Sequence, residues 1–317
     1  MRKTVALAAI LLWAVCLNAQ LAKHSSHMAP TGKGFGVEAP DGALQEMNIP
    51  AAVSQGHGIS YHGGPIMPGN VHVYFIWYGN WTNGPRASDS QLTVSLLDAL
   101  YGSSGGIGGS PYELINSTYG DATHNVSGHV SLIQSTTDNY SKGKAVGDAG
   151  VKAIVSRALS NGSLPKDTNG IYFVLTSSDV NETSGFCTTY CGWHTHGTIL
   201  NADIKYSFVG NPDRCPSACE AQTTSPNVDS GADGMASVMA HETEETISDP
   251  RLNAWFDNSG AENADKCAWL FGPLHGTLGH GAYNETFGTH NWLIQMNWEN
   301  SRKGGCDQKK GGTFYNF

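Results

Sequence analysis

The chain has 317 residues, a formal net charge of −9, 39% hydrophobic residues and only 14% charged ones. An acidic balance with no basic block excludes nucleic acid and acidic membrane surfaces as main partners. The hydrophobic fraction is too high for a mostly disordered chain, and no apolar run reaches the roughly 18–20 residues of a membrane-spanning helix.

Arg2 and Lys3 precede the apolar run Val5–Cys16 and then Leu17-Asn18-Ala19-Gln20. A basic start, a short apolar stretch and a small residue before a polar one form a secretory signal, with cleavage expected after Ala19. Residues 20–60 are polar, contain Gly and Pro and lack a sustained period, so they read as a loosely ordered leader. Residues 61–317 then read as one domain, without internal repeats.

From Tyr61 onward the elements follow in order. Val71–Trp77 is a short β-branched and aromatic run between turn residues and predicts a buried strand. Ser88–Tyr101 carries Leu92, Leu96, Leu97 and Leu100 at the spacing of one helical face. Gly102-Ser103-Ser104-Gly105-Gly106 matches G-x-S-x-G literally, but a helix precedes it where a nucleophile elbow needs a strand, so it reads as a flexible loop. Further strands are expected at His129–Gln134, Ile171–Thr176 and Thr198–Phe208, and helices at Ala145–Leu159 and Ala236–Ile247. Trp292–Trp298 alternates with period two, as a half-buried strand does. Strands alternating with helices predict an α/β or α+β fold, a single mixed β-sheet packed with helices.

Removing the signal leaves Cys187, Cys191, Cys215, Cys219, Cys267 and Cys306. An even count in an exported chain reads as a disulfide framework. The two C-x3-C spacings make Cys187–Cys191 and Cys215–Cys219 the local candidates, which leaves Cys267–Cys306. A four-cysteine zinc site is the competing reading, although zinc ribbons favour C-x2-C and a reducing compartment. Sequons at Asn80, Asn116, Asn125, Asn139, Asn161, Asn181 and Asn284 would suit a glycosylated secreted protein, although such triplets also arise by chance in a chain rich in Ser, Thr and Asn.

The stretch from Asp233 to Pro250 concentrates the chemistry. Asp233 is the expected N-cap, and Pro250 marks the stop. His241 and Glu245 are four residues apart and share a helical face, whereas Glu242 is turned about 100° from His241. The pattern H-E-x-x-E is a relative of the zinc-protease H-E-x-x-H with a carboxylate for the second histidine, and both groups are ordinary zinc ligands. A catalytic zinc needs a third protein ligand, for which Glu262 is the candidate. Asp265 and Asp257 stand in reserve as ligands or as partners orienting His241. Glu242 would then be the general base. His194 and His196 are possible contributors, set against a plain reading as hydrogen-bonded loop histidines. The alternatives for the whole motif are a solvated acidic helix face and a structural calcium site, the latter disfavoured by the histidine.

Several blocks in order, Tyr61–Pro65, Ile76–Gly79, Val174–Val180, Gly185–Gly192, Val209–Asn211 with Cys215–Cys219, and Pro226–Met235, resemble the phosphate-induced protein 1 (Exordium-like) family. The resemblance extends to Ala240–Glu245 and to an acidic residue at Glu262 ahead of Cys267. This chain departs from the pattern in carrying Thr243 and Glu244 where apolar or small residues are expected. The resemblance implies export, a shared fold and an association with the apoplast and growth signalling, without an established catalytic residue set. Two functions follow as expectations. The first is a secreted zinc-dependent, metallopeptidase-like hydrolase acting on a peptide or cell-wall substrate. The second is a non-catalytic extracellular wall or signalling protein.

Overall fold

The structure, a computed structural model, describes residues 57–301 and 303–313. The signal segment and nearly all of the leader lie outside the described residues. Strand β1 (Gly69–Tyr78) and strand β3 (Gly170–Thr176) are near-continuous runs of β-branched and aromatic residues, buried from Val73 to Tyr78 in the first and throughout in the second. Such runs suit strands covered on both faces, and the two pair in parallel at the centre of the sheet. Strand β2 (Val126–Asp138) flanks β1 in parallel. The hairpin β4 (Gly192–Ile199) and β5 (Ala202–Gly210) adds β5 parallel to β3 and β4 antiparallel to β5. The order is β2-β1-β3-β5-β4, with β4 at the edge. The expected mixed sheet is therefore present, accompanied among the described residues by four two-stranded ladders.

Helices cover both faces. Helix α1 (Gln91–Leu100) starts at Ser90, whose side chain accepts from the Thr93 amide, and buries Thr93, Leu96, Leu97 and Leu100. Helix α2 (Asp148–Ser160) packs on β3 and β5. Helix α3 (Ser230–Ser248) packs across β4 and β5 and against α1. Gly192 and Gly197, an odd number of residues apart, face opposite sides of β4. A Cβ on the first would meet Val238 of α3, and one on the second Lys152 of α2. The layers are thus helix, sheet, helix. At the end of α1, Tyr101 packs edge-on against Phe75, and its hydroxyl donates to the Met239 carbonyl 2.9 Å away, joining α1 to α3.

Four expectations are corrected. Thr198–Phe208 is not one strand but parts of two, because Leu200 (φ 48°) and Asn201 (φ 60°) turn the chain in the left-handed region that hairpins use. Helix α3 starts earlier than expected: Asp229 is its N-cap, accepting from the Ala232 amide, and Asp233 lies within its first turn. Trp292–Trp298 is not one strand, since the ladders His290–Trp292 and Asn297–Glu299 pair with different partners. The local disulfides are replaced by Cys187–Cys215 and Cys191–Cys219, both with a sequence separation of 28 residues, whereas Cys267–Cys306 forms as expected. The physical reason is that Cys215 and Cys219 flank one helical turn and project side by side towards the segment that leads into β4, so each reaches across rather than along the chain. Asn116, one of the sequons, is fully buried.

Leu97 is fully buried and Leu92 is 50% exposed, so the two leucines of α1 report separately on its packed and open faces. Leu97→Ala is expected to cost about 2–5 kcal/mol in urea unfolding, and Leu92→Ala to stay within about 0.5 kcal/mol of the parent.

Candidate metal centre

Helix α3 carries the H-E-x-x-E residues, and nearly every position from Gly231 to Ser248 is buried. A solvated acidic face is therefore excluded: His241, Glu242, Glu244 and Glu245 each have 0% exposure. The helix comes this close to the sheet because Gly192 has no side chain. A Cβ there would lie 2.5 Å from Val238 Cγ1 and 3.3 Å from Glu242 Oε1. Two residues along β4, on the same face, His194 points at the same helix.

Around His241, the ring Nε2 lies 3.0 Å from Glu245 Oε1 and 3.4 Å from Asp265 Oδ1. Its Nδ1 is 2.5 Å from the Gln295 side-chain amide, which fixes the ring plane. Around His194, Nε2 lies 3.1 Å from Glu262 Oε2 and 3.5 Å from the other oxygen of Glu245. The ligand atoms fall into two sets, His241 with Glu245 and Asp265, and His194 with Glu245 and Glu262, each within 4.8 Å. Of the residues singled out in the sequence, the fold thus unites His194, His241, Glu245, Glu262 and Asp265, with Glu262 beside His194 and Asp265 beside His241.

Asp257 and His196 lie elsewhere. Asp257 accepts from Ser259 and Ala261 and pairs with Lys266 at 3.0 Å; burial raises its pKa, but these donors prevail and bring it to about 2. Its role is to shape the loop that delivers Glu262 and Asp265. His196 Nδ1 contacts Asp203 at 2.7 Å near the surface. The loop is held to α3 by two contacts, the Asp265 amide donating to Glu245 Oε1 and Asn263 donating to the Glu244 carbonyl, and Cys267 ties it to Cys306 in the C-terminal segment. Asp249 and Gln295 were missed as members of the site. Asp249 follows His241 at i+8 and Glu245 at i+4, a spacing visible in the sequence. Gln295 carries no comparable signal, since only the fold brings it to the imidazole.

The electrostatics are one-sided. Among the described residues no lysine or arginine pairs with Glu242, Glu245, Asp249, Glu262 or Asp265. His194 Nδ1, His241 Nε2, both oxygens of Glu242, Glu245 Oε2, Asp249 Oδ2, Glu262 Oε1 and Asp265 Oδ1 are buried without hydrogen-bond partners. Burial, reinforced by the neighbouring acids, raises the pKa of Glu242, Glu245 and Glu262 well above the usual carboxylate range, and that of Asp249 to about 8. Burial pulls His194 down to about 4, whereas at His241 the same effect is outweighed by Asp265 and the other acids, so its pKa is raised. Nitrogen and oxygen donors at these spacings fit a zinc-type cation, whose bonds of about 2.0–2.2 Å place tetrahedral ligands about 3.4 Å apart.

These elements have relatives. The model of the family described as "Phosphate-induced protein 1 conserved region" matches residues 59–292, a stretch that contains the sheet, α3 and the acidic loop. This chain belongs to the phosphate-induced protein 1 family. Exordium-like relatives include "Protein EXORDIUM-like 3" of Arabidopsis thaliana, 30% identical over 71% of this chain and 72% of the relative. "Protein EXORDIUM" of the same plant is 28% identical over 68% and 74%. "Protein PHOSPHATE-INDUCED 1" of Nicotiana tabacum is 26% identical over 67% and 72%. No solved structure matches. Glu244 turns away from the two imidazoles, accepts from Asn297 at 2.6 Å and lies beside Glu113 in a second, separate buried pocket.

Burial raises the pKa of Glu113 from 4.5 to about 8. An acid with a raised folded-state pKa contributes stability fully below its unfolded value and loses that contribution as pH rises through the folded value. The stability supplied at Glu113 is therefore present below about pH 4.5 and lost towards pH 8. Glu113→Gln is expected to flatten the fall in urea midpoint between pH 5 and pH 8, which makes the variant the more stable protein at the upper end.

Proposed function

We propose that this protein is an extracellular, divalent-cation-dependent hydrolase in which His241, Glu245 and Asp265 hold the metal and Glu242 is the general base. The observation that carries the reading is the set of partnerless, buried nitrogen and oxygen atoms turned on one another with no lysine or arginine to balance them. Burying such a set costs several kcal/mol per charge unless a cation or protons neutralise it. Export is supported by the signal-like start and by three disulfides, which persist in oxidising compartments. Among the described residues no helix is long and apolar enough to cross a membrane.

A zinc ion, when bound, lowers the pKa of a coordinated water to about 7 and polarises a substrate carbonyl. The chain's own residues supply the rest. Gln295 sets the plane of His241 through Nδ1. Glu242 follows His241 directly, and its carboxyl, whose pKa burial holds well above the usual carboxylate range, is the group placed to accept a proton as general base. Solvent reaches the group at Asp265, whose side chain is 12% exposed whereas His194, His241 and Glu245 have none. A narrow apolar cleft lined by Val238, Trp269, Phe271, Leu293 and Gln295 runs beside it, with Gln295 between cleft and imidazole.

A second reading, a cation that braces a non-catalytic extracellular protein, is favoured by the near-complete burial of the donors, since structural zinc sites are closed. Glu242→Gln separates the two. On the catalytic reading this variant keeps its zinc by elemental analysis and its melting temperature, and loses about 10²–10⁴-fold in cleavage of a peptide library. No cleavage by either protein leaves the bracing role, whereas cleavage unchanged in the variant removes Glu242 as the general base. A zinc-free parent prepared with zinc present sinks both readings.

A further inference from the structure

We propose that the centre holds two divalent cations, bridged by the Glu245 carboxylate, one cation between Oε1, His241 and Asp265 and the other between Oε2, His194 and Glu262. This rests on the metal-dependent reading above and changes its stoichiometry. The first ground is which oxygen faces which ring. Glu245 Oε1 lies 3.0 Å from His241 Nε2, and Oε2 lies 3.5 Å from His194 Nε2, so a single carboxylate presents one oxygen to each imidazole. Each imidazole has in addition an acid of its own, Asp265 at 3.4 Å and Glu262 at 3.1 Å.

The second ground is spacing. Two ligands of one ion with bonds of about 2.0–2.2 Å cannot lie more than about 4.4 Å apart. Among the described residues no set of ligand atoms within 4.8 Å contains both histidines, nor both Glu262 and Asp265. One ion in place would therefore serve one set and leave the other imidazole and acid unmatched. Two ions held by a shared carboxylate, at the separation of about 3.5–4 Å found in two-metal sites, serve both.

The third ground is charge. Glu242, Glu245, Asp249, Glu262 and Asp265 are five acids with no lysine or arginine paired to them among the described residues. One divalent ion leaves most of that charge buried and unbalanced, whereas two nearly cancel it. Partnerless oxygens remain on both sides of the bridge, at Glu262 Oε1 as well as at Asp265 Oδ1.

The test is the cation count of the full-length, disulfide-bonded protein, dialysed after loading with Zn²⁺ and measured by elemental analysis. Two equivalents are expected for the parent, one each for His194→Ala and His241→Ala, and a loss at both positions for Glu245→Gln. One equivalent in the parent overturns the proposal and leaves the single-metal reading standing, as does full parental stoichiometry in His194→Ala. No bound metal in the parent overturns both. Should the variants misfold, Mn²⁺ titration of the parent decides alone. Two ions this close couple magnetically, so the isolated six-line resonance is expected to be lost as the second equivalent binds, and its persistence at full intensity overturns the bridge.

Discussion

The arrangement at the heart of this protein is governed by the cost of placing several carboxylates and two imidazoles in a space from which water and basic side chains are excluded. Ionised acids leave water only when opposite charge or protons meet them. Here the scaffold makes that placement compulsory. Glu242 and Glu245 lie on a helix buried all round, His194 stands on the strand against which the helix packs, and Glu262 and Asp265 arrive on a loop tied to both. The pKa directions follow from the same cause, as does the reading of the site as a cation centre. A separate acid pair, Glu113 and Glu244, meets the same cost differently, with burial and mutual proximity favouring a shared proton.

Much of the fold was legible because its signals are local. The central strands betray themselves as unbroken β-branched and aromatic runs, and α1 as leucines at helical spacing. The hairpin was not legible, since its turn uses Leu200 and Asn201 rather than an Asn-Gly pair, and an unmarked turn joins two strands into one apparent run. Alternation at the C-terminus misled for the opposite reason: Trp292 and Trp298 share a period but not a ladder. The disulfide exchange has the same origin, because spacing along a chain says nothing about two segments brought alongside one another.

At the candidate site the helix was readable, since a face repeating every four residues needs only the sequence. His241 and Glu245 belong to that face, and the unremarked Asp249 continues its spacing. The assignment of acids to imidazoles was not readable. Glu262 and Asp265 are three residues apart on a loop held by Asp257, and only its folding sends the first towards His194 and the second towards His241. His194 looked like a loop residue because the strand bearing it was hidden within the unrecognised hairpin. Glu244, an acid on a buried position of the same helix, is accommodated by Asn297.

The bond between Cys267 and Cys306 joins the end of the acid-bearing loop to the C-terminal segment, two residues beyond Asp265. The mixed sheet contains no such crosslink between its strands, and its cohesion is that of packed apolar side chains. Under reducing conditions the Cys267–Cys306 tie would be lost together with the two bonds joining the segment ahead of β4 to Cys215 and Cys219, so the acid-bearing loop and the edge of the sheet would slacken at once.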